Sequence, residues 1–271
     1  MGIAEVAASK KRIFDLGVSL ENGMPSSGHH PPFQMALVRR HGDNIREGAG
    51  GGTSANELIT TGCHVGTHID AIGHWALNGR LHSDLDAIEA MRGGQFRHLG
   101  AEEIPPMVCR GVLLDVPAVL GVGRLNPAQG ITPDDLEKAL GDASLNPGDV
   151  ALIRTGWRQL YHNDTTAFYG GRGGVPGITG SAAEWLAQHG VQAAGTDTAA
   201  FDQIVPGPMF LARPAHTTLL FKHAIHIIEM LDLEELAAER VREFLFILAP
   251  LKLVGATGSP VRPLAVVDMH E

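Results

Sequence analysis

Apolar positions fall into short, well-separated runs. Gly111-Val112-Leu113-Leu114-Asp115-Val116, Val150-Ala151-Leu152-Ile153-Arg154-Thr155, Val191-Gln192-Ala193-Ala194 and Phe244-Leu245-Phe246-Ile247-Leu248 are each bounded by turn residues, the pattern of core strands. Helix-start signals lie between them. Thr132-Pro133-Asp134-Asp135-Leu136 offers a capping hydroxyl followed by a proline in the first turn. Ser181-Ala182-Ala183-Glu184 has the spacing of a capping box ahead of Trp185 and Leu186, Gly190 closes that segment, and Asp232-Leu233-Glu234-Glu235 opens another helix. Strands alternating with helices, with no linker or repeat, predict one mixed α/β domain over residues 1–271.

The polar positions that break this pattern most sharply lie in His64-Val65-Gly66-Thr67-His68-Ile69-Asp70-Ala71-Ile72-Gly73-His74, three imidazoles and a carboxylate in eleven residues. Packed closely, such bases depress one another's protonation, a cost that a shared cation and a carboxylate remove. Imidazole with carboxylate suits zinc or manganese, and a catalytic site keeps one coordination position open for water. On a regular helix Asp70 would point away from His64, so the segment reads as a turn that curls three side chains around one ion, with Gly66 free to take an unusual backbone angle and Thr67 able to bond locally. Cys63 adjoins this segment and reads as a small apolar filler.

These residues resemble the signature of the cyclase family of metal-dependent hydrolases, His-x-Gly-Thr-His-x-Asp-x-Pro-x-His, which includes kynurenine formamidases and isatin hydrolases. Ile72 stands where that signature has proline. Further likeness lies at Asp15-Leu16-Gly17-Val18-Ser19, Leu152-Ile153-Arg154-Thr155-Gly156-Trp157, Gly195-Thr196-Asp197-Thr198 and the run from Pro250 to Pro260. The resemblance implies a layered, swivelling β/β/α fold, with His64, His68 and Asp70 as metal ligands and His74 as the acid/base. It implies a second metal position completed by a downstream histidine and a glutamate, for which His216 and Glu229 are the candidates, so that one or two divalent ions bind. It also implies hydrolysis of an amide, with a formamide such as N-formylkynurenine or an isatin-like lactam as substrate, and a homo-oligomer.

Around Glu229, an extended segment over residues 224–230 would alternate Ile225, Ile227 and Glu229 against His226 and Ile228, which makes His226 a structural histidine of the opposite face. A helical segment from His216 to His223 would instead put those two on one side, either of them able to be the outer ligand. Phe33 and Trp75, with Phe201, Phe210 and Trp157, are candidates to clamp an aryl substrate. Arg154 and Lys252 could bind a carboxylate, although a structural or solvated charge is the commoner fate. Residues 29–54, with His29, His30, two prolines and the run Gly48-Ala49-Gly50-Gly51-Gly52, read as an irregular pocket wall or lid. That run lacks both a preceding strand and a Lys-Ser/Thr signature, so it is no phosphate cradle. The aromatic and basic stretch 157–172 is a candidate oligomer surface.

Composition narrows the partners. A formal net charge of −9 with scattered cations excludes a nucleic-acid footprint, and no apolar run is long enough to span a membrane. Two cysteines exclude a disulfide framework, and a soluble cytoplasmic enzyme acting on a small molecule is the reading. The alternatives are a lyase or a noncatalytic metal-binding protein; a structural zinc site is usually closed by four ligands, often cysteines, whereas this motif supplies three and a spare histidine.

Overall fold

The computed structural model describes residues 10–43, 52–171, 173–207 and 212–269. The apolar runs form the middle of one sheet. Parallel strands β5 (Met107–Asp115), β7 (Val150–Arg154), β9 (Ala193–Thr196) and β10 (His226–Glu229) lie side by side. Antiparallel strands extend both flanks: β11 (Glu243–Leu248), β13 (Leu264–Asp268) and β1 (Lys11–Asp15) beyond β5, and β4 (His68–Asp70) and β12 (Gly258–Pro260) beyond β10. The order is β1-β13-β11-β5-β7-β9-β10-β4-β12. Two short pairs complete the strands, β2 (Gln34–Arg39) with β3 (Asn56–Thr60) and β6 (Gly130–Ile131) with β8 (Gly177–Ile178).

This order requires a curled sheet. Seven strand spacings separate β13 from β12, about 34 Å if the sheet were flat, yet three intervening residues can span only about 14 Å. The flanks accordingly meet: Asp232 N donates to Leu16 O at 2.9 Å, and Val18 N to Thr67 Oγ1 at 2.8 Å.

Alternation along the central strands feeds two cores. Val112, Leu114, Ala151, Ile153, Ala194 and Ile227 pack beneath the helices Pro133–Leu140 and Gly180–Gln188. Leu113, Val150, Leu152, Ala193 and Ile228 face the other way, against Phe14, Phe246 and Ala265 of the curled-over flank. One sheet thus supplies two β layers with helices outside, the β/β/α layering that the resemblance implies.

Local signals account for the helices with two shifts, one of them at Glu234–Ala238, whose N-cap is Leu233 rather than Asp232 and carries no side-chain cap. Thr132 forms a capping box with Asp135, with Pro133 in the first turn. The next helix is capped by Thr179, whose hydroxyl accepts from Ala182 N, rather than by Ser181; Glu184, the predicted box partner, pairs with His223 instead. Gly190 ends the segment at φ +71°. Residues 29–54 are not wholly irregular, since they include β2, whose side chains are exposed on both faces. The run at 49–51 and Phe210 lie outside the described residues. No helix among the described residues is long and apolar enough to cross a membrane.

Candidate metal centre

The histidine-rich segment is a turn that runs into a strand. Gly66 sits at φ +67°, in the left-handed region that favours glycine. Thr67 bonds at long range rather than locally, donating to Met230 O at 2.7 Å while accepting from Val18 N. Residues 68–70 then form β4, in which His68 and Asp70 share a face because side chains alternate with period two. The antiparallel register sets Glu229 opposite His68 and Gly258 opposite Asp70. His74 closes the next turn, with its N–H on Ala71 O.

Cross-strand pairing thus gathers residues far apart in sequence. Asp70, Glu229, His68 and His216 are all buried. His64 Nδ1 lies 2.9 Å from Asp70 Oδ1, His68 Nε2 lies 3.4 Å from Glu229 Oε2, and His216 Nε2 lies 3.6 Å from both Asp70 Oδ2 and Glu229 Oε1. Each of these three imidazoles has its other nitrogen tied back. His68 Nδ1 donates to Gly66 O at 2.8 Å, His64 Nε2 bonds Thr257 Oγ1 at 2.9 Å, and His216 Nδ1 donates to Asp202 Oδ2 at 2.5 Å. The free nitrogens therefore face the carboxylates.

Among the described residues two groups have ligand atoms within 4.8 Å of one another, His64 with Asp70 and His74, and Asp70 with His216 and Glu229. His68, predicted beside His64, falls in neither and lies between Asp70 and Glu229. Asp70 belongs to both groups. Asp70 Oδ2 and Glu229 Oε1 are buried without a hydrogen-bond partner, and Asp70 Oδ1 has only the approach of His64 Nδ1. Unpaired buried carboxylate oxygens are costly unless a cation meets them, so the donor set fits one or two divalent ions.

Burial alone would raise the Asp70 carboxyl; the charges of His74, His64 and His68 outweigh it and hold the group well below the usual carboxylate range. At His216 burial is likewise overcome, by Asp202 first and then Glu229 and Asp70, and the imidazole is pushed up to about 9. His74 goes the other way. Burial, with His64 and His216 nearby, outweighs Asp70 and Glu229 and lowers it to about 4. Its ring lies 4.1 Å from that of His64 and 5.8 Å from that of His216.

Other predicted residues divide clearly. Trp75 stands at the site, its ring 5.5 Å from His216 and its Nε1 on Thr217 Oγ1 at 2.9 Å. Phe33 is buried with Met24, Val65 and Met230, and lines a groove along β2 that contains none of the clustered histidines. Phe201 and Trp157 are core residues, as are Tyr161 and Phe168, so the aromatic side chains of 157–172 do not form an exposed patch. His226 points to the other side, its Nδ1 bonded to Asp70 O at 2.9 Å. His223 does not join His216: residues 217–222 wind as a π-helix, in which seven positions are not two full turns, and His223 pairs with Glu184 at the surface. Arg154 is fully used by Asp115 and Glu234. Cys63 is half-buried and burial pushes its thiol up.

Three contributors were not singled out from sequence. Thr257 holds His64, Asp202 holds His216, and Gly258 leaves room for His64, since a Cβ there would meet His64 Cε1 at 2.8 Å. His30, on the proposed pocket wall, brings its ring within 5.5 Å of His64, and the hydroxyls of Tyr161 and Tyr169 both donate to Pro25 O, just ahead of that wall in sequence.

Residues 14–203 match the profile of the Cyclase family, well over half of the chain. The chain belongs to the Cyclase family. Among its curated relatives, an isatin hydrolase of Roseibium aggregatum is 26% identical over 220 residues, 77% of this chain and 73% of that protein. A kynurenine formamidase of Bacillus thuringiensis subsp. konkukian is 28% identical over 204 residues, 75% and 76% of the two chains. A crystal structure described as a novel cyclase superposes with a TM-score of 0.85 at 25% identity, covering 97% of this chain and 91% of the other. This Cyclase-family chain therefore shares its fold with that structure over nearly its whole length.

Proposed function

We propose that this protein is a metal-dependent hydrolase that cleaves the C–N bond of a small amide. The observation that supports it most is the set of orphaned oxygens on Asp70 and Glu229, ringed by imidazole nitrogens whose far sides are already bonded. His64, His68 and Asp70 would hold one divalent ion, zinc or manganese, and His216 and Glu229 with Asp70 a second. When bound, such an ion lowers the pKa of water from about 15.7 toward 7 and polarises a carbonyl.

The chain's own residues supply the rest. His74, at about 4, is neutral at pH 7 and can accept a proton from the attacking water, then return it to the departing nitrogen. Trp75 offers an indole face beside His216 for a planar substrate. Relatives named isatin hydrolase and kynurenine formamidase both support an aryl amide, cyclic or open; the open formamide is the lead, and the lactam is the second reading favoured by Trp75. A small molecule is thus the partner, and a homo-oligomer the assembly we infer from the family.

Metal content and turnover test this together. Wild-type protein loaded with zinc or manganese is assayed on N-formylkynurenine and isatin beside His68→Ala and His74→Asn. His68→Ala should lose metal and activity together, whereas His74→Asn should keep its metal and lose about 10²–10⁴-fold in kcat. A wild-type protein that binds no divalent ion sinks the reading; metal loss in His74→Asn moves that residue among the ligands, consistent with its place beside His64 and Asp70.

A further inference from the structure

Of the three imidazoles whose free nitrogens face the orphaned carboxylates, two are steadied by neutral oxygens, the Gly66 carbonyl and the Thr257 hydroxyl. His216 differs. Its partner is the carboxylate of Asp202, 0% exposed, with Oδ2 at 2.5 Å from Nδ1. The same carboxylate accepts from Ala215 N at 2.6 Å and His216 N at 3.2 Å, so it grips both the ring and the backbone that carries it. The strand environment is shaped to admit it: Phe201, just before Asp202, sits at φ +50°, and a Cβ on Gly177 would meet the Asp202 backbone at 2.4 Å. A non-glycine residue in the left-handed region costs energy that the surrounding structure must repay.

We propose that Asp202 is a positioning residue, which fixes His216 as the Nδ1–H tautomer and turns its Nε2 lone pair toward Asp70 and Glu229. A carboxylate can only accept here, so the Nδ1 proton is assigned by chemistry. The other nitrogen then has no proton when a cation takes its place, and the negative partner makes it a stronger donor than His64 or His68. The inference rests on reading His216 as a ligand. It distinguishes the two metal positions: the one that includes His216 and Glu229 depends on Asp202, and the one that includes His64 does not.

The test uses full-length protein and Zn²⁺ alone as probe. Calorimetric titration of wild type, Asp202→Asn and His216→Asn gives the affinity of each ion, and ¹H–¹⁵N spectra of the histidine rings in zinc-loaded wild type give the tautomer. The side-chain amide of Asp202→Asn can donate to Nδ1 and leave the proton on Nε2, where it blocks the metal. One of two zinc ions should therefore bind about 10–100-fold more weakly, with the other unchanged. Wild type should show a far-downfield Nδ1–H assigned to His216. That measurement needs no variant, so it decides the matter even if Asp202→Asn fails to fold. Wild-type zinc affinity in a folded Asp202→Asn, or a His216 proton on Nε2 in loaded wild type, overturns the proposal. If His216→Asn binds zinc as wild type does, the ligand reading itself falls; if it weakens binding and Asp202→Asn does not, only the role of Asp202 falls.

Discussion

Gly258 shows how a residue with no functional group can decide a site. A methyl group there would press on His64 Cε1 at 2.8 Å, in the turn that carries the cluster, and on Ile69 O at 2.9 Å, in β4. Gly258→Ala should therefore displace His64 from Asp70, weaken metal binding, and cost about 1–3 kcal/mol of stability, read by zinc titration and urea unfolding. In the sequence Thr257-Gly258 is marked only as part of a run that resembles the family, because the importance of both residues comes from pairing across nearly two hundred positions. The local motif was legible because its four chemical groups fall in eleven residues. His216 and Glu229 were legible only through family resemblance, and Asp202 not at all, since one aspartate among many has no periodic or spacing signal.

Strand β4 is the element on which the centre depends, and at three residues it is too short to register as an apolar run. Strand β7 and the second half of β5 were visible because burial on both faces demands continuous apolar sequence, whereas β11, also an apolar run, buries only alternate residues. The exposed pair β2 and β3 was missed for the opposite reason: Met35, Leu37, Leu58 and Ile59 have no core to alternate against. Thr67 ties β4 to its surroundings by serving two backbone groups at once. Thr67→Val keeps the shape but strands Val18 N and Met230 O, an expected loss of about 2–4 kcal/mol in urea unfolding. A change below 0.5 kcal/mol would show that water replaces both bonds.

At the scale of the whole molecule, stability should depend on pH through Asp197. This buried carboxylate accepts from Thr155 N, Thr155 Oγ1 and Gly156 N, clasping the end of β7 to the end of β9. Burial is the larger effect and raises it to about 6, against an ordinary value of 3.8. The folded state therefore holds a proton that the unfolded state has released between about pH 4 and 6. Its contribution falls as pH rises through that window, by on the order of 3 kcal/mol, and is level above it. Urea midpoints measured from pH 4 to 7 in wild type and Asp197→Asn check the sign: the wild-type slope across the window should be more negative than the variant's, and equal slopes would exclude Asp197 as its source.

The curled sheet also governs the order in which this chain can become itself. Lys11 pairs with Asp268, so the first strand waits for the last, and β4 waits for β12 to place Thr257 against His64. Contacts of such span make the search slow, on the millisecond-to-second scale of non-local β topologies. A nascent chain that has already exposed its histidines to the solvent holds them without a frame until its tail arrives, and a cation met too early would find loose imidazoles rather than a centre.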